Sequence, residues 1–331
     1  MITVTLYRKT DCAACDQAQA DLDRLQATYP HSLVVMDLAQ NNEFQALYGN
    51  DVPVVEAGPY KLRSPFSIQD LQAALGAASD RHVRLEQAGD TTYLNRLERG
   101  HTLNSADKIS YWLSRHYVLL FSIVIFVYVG LPFLAPISMV NGWKGVAKAV
   151  YTIYSPLCHQ FAFRSWFLYG EQLAYPRELA HVNGLVSYEQ ATGLSAFDVE
   201  AARDFIGNAA LGYKVALCER DIAIYGSILL FGIIFSLTGR RLKSIPWYLW
   251  VLLGMVPMGI DGVSQLPGLL DLPILAWLPI RESTPFLRTL TGALFGFSTA
   301  WYGYPYIEET MAETRRTLSR KIAVIKKDQS G

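Results

Sequence analysis

The sequence predicts a small N-terminal α/β domain followed by an all-helical membrane domain with four spans. The first residues alternate apolar and polar side chains as a β-strand does, and later stretches are apolar over lengths that suit membrane helices. Of the 331 residues, 51% are hydrophobic and 18% are charged, whereas a soluble domain has roughly 25% charged residues. These totals, with a mean hydropathy of +0.17, indicate a soluble part joined to a membrane part.

The charge balance excludes one class of partner. The chain has 29 basic and 29 acidic residues, which argues against a nucleic-acid partner because such a partner requires a basic surface. Four cysteines are too few for a scaffold held by disulfides. Aromatic residues make up 12% of the chain, a content that suits contact with membrane lipid at the interface.

Residues 1–78 have the pattern of a compact α/β domain. The predicted elements follow the order β-α-β-α-β-β-α, at residues 1–8, 17–28, 33–38, 42–48, 52–56, 60–63 and 67–75. No hydrophobic signal core follows the first strand, so we expect this end of the chain in the cytoplasm.

A Cys-x-x-Cys motif marks the reactive part of this domain. Cys12 and Cys15 stand at the first strand-to-helix turn, and Pro53 precedes the third strand. In this element order, the motif resembles the thioredoxin fold and, more narrowly, the small glutaredoxin-like family. The resemblance implies that Pro53 is cis and faces the cysteine pair. It also implies a thiol or disulfide partner, either a protein or glutathione.

The spacing of the two cysteines has a chemical reason. A helix N-terminus stabilises a thiolate at Cys12 through the helix dipole and free N–H groups, and Cys15, one turn later, is placed to attack a mixed disulfide formed at Cys12. Two other interpretations stay open. The motif could form half of a zinc site, which needs two more nearby ligands, or belong to a degenerate domain that keeps the pair for stability alone.

Residues 79–116 are polar and charged and are interpreted as a linker that ends in an amphipathic helix. Asn104 or Ser105 caps this helix, and Ile109, Trp112 and Leu113 fall at helical spacing.

Four membrane spans are predicted in residues 117–306. A stretch of about 20 apolar residues crosses the roughly 30 Å hydrocarbon core. The predicted spans are residues 117–136, 221–238, 246–262 and 286–305, the last interrupted only by Arg288. Residues 143–169 and 269–280 are expected to be interfacial, the latter with a re-entrant piece as the alternative.

Short loops predict the orientation of these spans. Residues 239–244 contain three basic residues and no acidic one, and the tail at residues 307–331 is also basic. Because basic residues stay on the cytoplasmic side, we expect both termini in the cytoplasm and the protein in a bacterial-type cell membrane.

With that orientation, unusual polar residues gather at the outer leaflet. A single ionisable residue at membrane depth is often an anchor, but several from different segments favour a shared site. The candidate residues are Cys158, His159, Gln160, Arg164, Cys218, Arg220, Asp221, Asp261, Gln265, Arg281, Glu282 and Arg288.

The motifs that carry these residues also resemble a known family. The runs that begin at Cys158 (CHQ), Cys218 (CERD), Asp261 (DGVSQ) and Arg281 (REST) are similar to an uncharacterised polytopic membrane family, domain of unknown function 2085. The resemblance covers about residues 117–306 and implies a membrane protein without supplying an activity. The chain departs from the family pattern near residues 173–212 and at Pro285, where the family commonly has Asn.

The departure is interpreted as an extracytoplasmic insertion at residues 174–212. Ser187 and Gln190 have capping-box spacing ahead of Gly193, and a second helix is predicted from Ser195 through Phe205. The insertion is either a lid over the outer site or a solvated segment without a chemical role.

Three interpretations of the outer site remain open, and a Cys158–Cys218 disulfide ranks first because the outer compartment is oxidising. A metal site for Zn or Fe ranks second. An anionic headgroup or quinone-like ligand held by arginines ranks third. The metal ligands would come from Cys158, His159, Cys218 and Asp221 or Asp261, and the arginines would be Arg164, Arg281 and Arg288.

The sequence as a whole predicts a membrane-anchored thiol–disulfide oxidoreductase with a cytoplasmic Cys12–Cys15 pair and a polar outer-leaflet site. The alternative is a noncatalytic subunit, or a metal- or ligand-binding protein, of a larger membrane complex for electron transfer. Thiol exchange needs contact between sulfur atoms, so the predicted topology excludes direct exchange between the two cysteine pairs.

Overall fold

The computed structural model describes residues 1–40, 42–265 and 281–330. It divides into two compact units, the first formed by residues 1–116 and 309–331 and the second by residues 117–308. The segment 269–280, which the sequence assigns to the membrane interface, lies outside the described residues.

The bounds of the regular elements are as follows. The strands are β1 (Ile2–Arg8), β2 (His31–Asp37), β3 (Val54–Ala57), β4 (Tyr60–Arg63), β5 (Ser165–Leu168), β6 (Gly207–Asn208) and β7 (Gly212–Cys218). The helices are α1 (Ala13–Leu25), α2 (Asn42–Tyr48), α3 (Ile68–Gln87), α4 (Thr91–His101), α5 (Ser105–Gly130), α6 (Leu134–Val140), α7 (Lys144–Tyr154), α8 (Tyr188–Thr192), α9 (Val199–Asp204), α10 (Glu219–Leu237), α11 (Trp247–Trp250), α12 (Val256–Val263) and α13 (Pro285–Ser330), and a π-helical segment (Val251–Met255) joins α11 to α12.

The first unit contains a mixed sheet of order β2–β1–β3–β4. Strand β1 runs parallel to β2 and antiparallel to β3. Its residues are buried on both faces of the sheet: Val4 and Leu6 pack with Leu22 of α1 and Leu75 of α3, while Tyr7 belongs to a second cluster. The predicted α/β thioredoxin-like region is therefore confirmed.

The predicted end of the closing helix is wrong. Helix α3 was expected to end at Leu75, but it runs to Gln87, and α4 follows it within the supposed linker. A capping box between Ser67 and Asp70 starts α3, and no proline stands between Ile68 and Gln87. Polar composition marks an exposed helix as readily as a linker, so composition alone misplaced this boundary.

The C-terminal tail is helical and belongs to the first unit. Helix α13 continues from the predicted fourth span through the basic residues to Ser330. Within the first unit, Arg320 lies 2.8 Å from Glu56, Lys321 lies 2.6 Å from Asp107, and Arg315 pairs with Glu43.

In the described part of the chain, two helical stretches are long and apolar enough to cross a membrane by length and composition. These are Ser105–Val140 and Glu219–Leu237, and Trp247–Val263 is a shorter apolar helix. The first stretch includes both the predicted amphipathic helix and the predicted first span.

A small sheet corrects the prediction that everything after residue 117 is helical. Strand β7 pairs antiparallel with β5 and with β6, in the order β5–β7–β6. Strands β5 and β6 have only four and two residues, too few for an alternating pattern to distinguish them from loops.

The insertion follows its predicted local signals in part. Ser187 and Gln190 form the expected capping box, and Gly193 ends α8 in a left-handed conformation, as predicted. Helix α9 begins later than expected, because its cap is the Asp198 carboxylate, which accepts from the Ala201 N–H at 3.0 Å.

Candidate functional site

The Cys12–Cys15 pair occupies the start of α1. Cys12 is the N-cap, its Sγ accepts from the Cys15 backbone N–H at 3.2 Å, and the two sulfur atoms form a disulfide. Cys12 is half-buried and Cys15 is fully buried. The Val52–Pro53 peptide bond is cis, as the resemblance implied. A reaction partner therefore reaches Cys12 and not Cys15.

The second unit holds a cavity of about 350 Å³ that gathers most of the predicted outer-leaflet residues. The predicted residues that line it are Cys158, His159, Gln160, Arg164, Cys218, Arg220, Asp221, Gln265 and Arg288. The other three, Asp261, Arg281 and Glu282, join the lining residues through ion pairs. The convergence expected from the sequence is thus present in the geometry, within a single unit.

The thiols of Cys158 and Cys218 and the carboxylate of Asp221 form a close cluster in the lining of this cavity. One side-chain donor atom from each of the three residues lies within 4.8 Å of the other two. The Cys218 thiol donates to Asp221 Oδ2 at 3.0 Å. The neighbouring Cys218 thiol lowers the pKa of Cys158, and the neighbouring Cys158 raises the pKa of Cys218.

The disulfide that ranked first in the sequence is not formed, since Cys158 and Cys218 are both free. Each sulfur instead has hydrogen-bond partners, the Gln160 N–H for Cys158 and Asp221 for Cys218. Cys158 and Cys218 therefore differ from Cys12 and Cys15, which form a disulfide.

Local structure sets the direction of each side chain in this cluster. Cys218 is the last residue of β7, lies opposite Ser165 of β5, and caps α10. Asp221 falls in the first turn of α10, three residues later, so it shares a helix face with the cap. Cys158 follows α7, and its N–H donates to the Tyr154 carbonyl at 3.0 Å.

A sharp turn follows Cys158. Gln160 has a φ of +56°, in the left-handed region, where an asparagine or glycine is more usual. Its side chain donates to the Tyr151 carbonyl at 2.9 Å, and its own carbonyl accepts from Lys214 Nζ at 2.7 Å. These bonds fix the loop against α7 and β7.

Two of the five predicted metal ligands lie outside this cluster. The ring of His159 is exposed and stacks on Phe161 with 5.3 Å between centroids. Asp261 is engaged by Arg220, by Arg281 at 3.5 Å and by Ser283 Oγ at 2.9 Å. The predicted ligand set therefore narrows to Cys158, Cys218 and Asp221.

Glu282 is the centre of the arginine network. Its carboxylate pairs with Arg164 at 2.9 Å, with Arg177 at 3.1 Å and with Arg288. Gln265 Oε1 accepts from Arg164 and from Arg288, both at 3.3 Å. Loss of one partner from such a buried network would leave a buried charge uncompensated, which is strongly destabilising.

Sequence reasoning missed four residues that belong to this region, namely Arg177, Lys214, Glu219 and Ser283. Glu219 stood within the quoted Cys218 motif, and only 1% of its surface is exposed. Arg177 lies in the insertion, and its side chain is buried against Glu282. The insertion thus contributes to the network and is not merely solvated.

Lys214 could have been recognised from the sequence, because it is the one charged residue in the otherwise largely apolar strand β7. Its side chain is fully buried and donates to the Gln160 carbonyl and to the Arg203 carbonyl. Burial lowers the pKa of Lys214 to about 7.

Comparisons with known proteins agree with both resemblances drawn from the motifs. Residues 3–76 match the family described as glutaredoxin-like domain (DUF836), and residues 207–302 match the family described as predicted membrane protein (DUF2085). An uncharacterized protein of Methanocaldococcus jannaschii is 28% identical over 173 residues, which cover 51% of this chain and 75% of that protein. No solved structure matches the chain. The chain therefore carries a glutaredoxin-like domain fused to a domain similar to predicted membrane proteins, and it is a redox-related membrane protein.

Proposed function

We propose that this protein is a membrane-anchored thiol–disulfide oxidoreductase whose reaction centre is the Cys12–Cys15 pair. The observation that carries the proposal is the placement of the two sulfurs. Cys12 is accessible at the helix N-terminus, and the sulfur bonded to it belongs to the fully buried Cys15. This is the arrangement that separates an attacking thiol from a resolving thiol.

The reaction follows from that arrangement. In the reduced protein, the Cys12 thiolate attacks one sulfur of a partner disulfide, a mixed disulfide forms, and the partner's other sulfur leaves as a thiolate. Cys15, once deprotonated, attacks the Cys12 sulfur, which closes the Cys12–Cys15 disulfide and releases the partner as a dithiol. Two electrons pass from the cysteine pair to the partner, and a thiol reductant such as glutathione or a protein dithiol restores the pair.

The membrane part anchors this domain. In the proposal, four spans at residues 117–136, 221–238, 246–262 and 286–305 cross a bacterial-type cell membrane, with both termini in the cytoplasm. Two long apolar helices and the shorter Trp247–Val263 support the spans. The inclusion of residues 309–331 in the same compact unit as residues 1–116 supports a common side for both ends. The cavity around Cys158 and the insertion at residues 174–212 then lie on the outer side.

The test uses the purified full-length protein in detergent and a peptide that carries a mixed disulfide with glutathione. We expect Cys12→Ser to abolish reduction of this peptide, because Cys12 is the accessible sulfur of the pair and Cys15 is fully buried. Cys15→Ser should slow release and accumulate the covalent adduct at Cys12. Ala14→Ser is the matched control, since Ala14 is exposed and lies between the cysteines, and it should retain the rate.

Two results would contradict the proposal. If wild-type protein with both cysteines reduced and accessible fails to reduce the peptide, the protein would instead have a noncatalytic role in a larger membrane complex. Equal rates for Cys12→Ser and wild type would place the chemistry elsewhere.

A further inference from the structure

Two sulfur donors and one oxygen donor lie close together in the cavity of the second unit. Cys158 Sγ, Cys218 Sγ and a carboxylate oxygen of Asp221 all lie within 4.8 Å of one another. Donors around a tetrahedral Zn²⁺, at about 2.0 to 2.3 Å from the ion, stand about 3.3 to 3.8 Å apart. The observed spacing therefore accepts an ion with only small side-chain rotations.

The backbone holds these donors without help from the ion. Cys218 is fixed by the β5–β7 ladder and by the start of α10, and Asp221 follows in the first turn of that helix. Cys158 is held by its hydrogen bond to Tyr154, and the Gln160 N–H points at its sulfur at 3.4 Å. An N–H donated to a ligating sulfur is the kind of outer contact that orients metal ligands.

The surrounding charge favours thiolate ligands. In the described residues of this network, five arginines face four carboxylates, which are Arg164, Arg177, Arg220, Arg281 and Arg288 against Glu219, Asp221, Asp261 and Glu282. This excess of one positive charge offsets one of the two thiolate charges, and the divalent ion itself supplies the remaining positive charge.

The cavity leaves room for a further ligand next to the cluster. Arg164 and Arg220 line it, and the buried Nε–H of each has no hydrogen-bond partner among the described residues. A site with three protein ligands and a fourth position open to water or to a bound anion is the arrangement of catalytic zinc centres, whereas structural centres close all four positions.

We propose that Cys158, Cys218 and Asp221 bind one thiophilic divalent metal ion of the Zn²⁺ class, with a fourth coordination position open to the arginine-lined cavity. Two sulfur donors select such an ion over Mg²⁺ or Ca²⁺, which prefer oxygen. The site is independent of the proposed chemistry at Cys12 and Cys15. Metal coordination also keeps the two outer cysteines from pairing in an oxidising compartment.

The experiment measures metal content and thiol state on one sample. Full-length protein, purified in detergent without chelators or reductants, is analysed for bound metals and, after alkylation, by mass spectrometry. We expect about one zinc ion per chain and separately alkylated Cys158 and Cys218. Cys218→Ser should lose the ion, and Asp221→Asn should weaken its retention during dialysis. The matched control is the double variant Cys12→Ser and Cys15→Ser, which should keep full metal content.

A second measurement guards against variants that fail to fold. Metal-depleted wild-type protein is titrated with Co²⁺ alone, and the expected result is a thiolate-to-cobalt charge-transfer absorption together with the visible bands of a four-coordinate ion. A metal-free protein with Cys158 linked to Cys218 would overturn the site. So would a cobalt spectrum without thiolate absorption, or loss of the ion from the Cys12 and Cys15 double variant. None of these results bears on peptide reduction at Cys12, so the two proposals fail separately.

Discussion

At the scale of single residues, the clearest departure from ordinary chemistry is Lys214. A fully buried ammonium group is costly unless it is paired, yet the Nζ atom of Lys214 is held by the carbonyl oxygens of Gln160 and Arg203. A neutral amine has two hydrogens, which is enough for both bonds. Burial therefore lowers the pKa of Lys214 to about 7, and this side chain ties the Cys158 loop to β7.

This lowered pKa predicts a pH dependence of stability. Between pH 7 and the ordinary value of 10.5, the unfolded chain binds a proton at Lys214 that the folded chain does not, so folding stability rises with pH across this window. Lys214→Met removes the effect. We expect the melting temperature of the wild type, relative to that of the variant, to increase from pH 7 to pH 10 when both are followed by thermal denaturation in detergent.

The matched control is Lys148→Met, at an exposed lysine of α7. The difference in melting temperature between Lys148→Met and the wild type should stay constant over the same pH range. A constant difference for Lys214→Met as well would mean that Lys214 keeps its charge in the folded protein.

At the scale of secondary-structure elements, the β5–β7–β6 sheet decides where Cys218 stands. Gly212 begins β7 with a φ of +78°, and a Cβ atom there would lie 2.4 Å from the Leu168 carbonyl oxygen. Gly184 has a φ of +82°, but a Cβ atom there would meet nothing within 4 Å. The two glycines therefore share the backbone conformation and differ in the close approach of a neighbouring strand.

This difference predicts unequal effects of the same substitution. Gly212→Ala and Gly184→Ala both incur a conformational cost of roughly 1–3 kcal/mol, but only Gly212→Ala also pushes β5 away from β7. We expect the melting temperature of Gly212→Ala to fall clearly below that of Gly184→Ala, together with reduced metal retention. Equal melting temperatures would show that the sheet tolerates the added methyl group.

At the scale of the whole molecule, the first compact unit contains both ends of the chain. Among the described residues, the segment 309–331 contacts the N-terminal residues through ion pairs that join Arg315 to Glu43, Arg320 to Glu56, Lys321 to Asp107 and Asp328 to His101. An element that packs on the glutaredoxin-like domain must lie on the same side of the membrane as that domain. The proposed topology satisfies this condition.

The topology predicts a labelling pattern in intact cells with a membrane-impermeant thiol reagent. In a chain whose native cysteines are changed to serine, Glu200→Cys should be labelled without lysis, because Glu200 is exposed and lies in the insertion. Gln329→Cys and a retained Cys12 should be labelled only after lysis. Labelling of Cys12 in intact cells would overturn the proposed orientation, and equal labelling at Glu200→Cys and Gln329→Cys would overturn the number of spans.

Much of the fold could be read locally. The order of strands and helices in residues 1–78, the Ser187 capping box and the apolar run of α10 all depend on signals a few residues long, which are visible in the sequence. The end of α3 and the strands of the small sheet could not be read this way. A polar helix resembles a linker, and strands as short as β5 and β6 carry too few residues for an alternating pattern.

The sequence by itself determined the two-part organisation of the chain, the placement of Cys12 at a helix start, and most of the polar residues that gather around the cavity of the second unit. The tertiary structure alone decided how those residues are used. Glu282 and Arg164 are 118 residues apart, and only packing brings them together with the unforeseen Arg177. Packing likewise turns Asp261 toward arginines and Asp221 toward the cysteines, because the direction of a side chain depends on the backbone around it and not on the spacing of residue types.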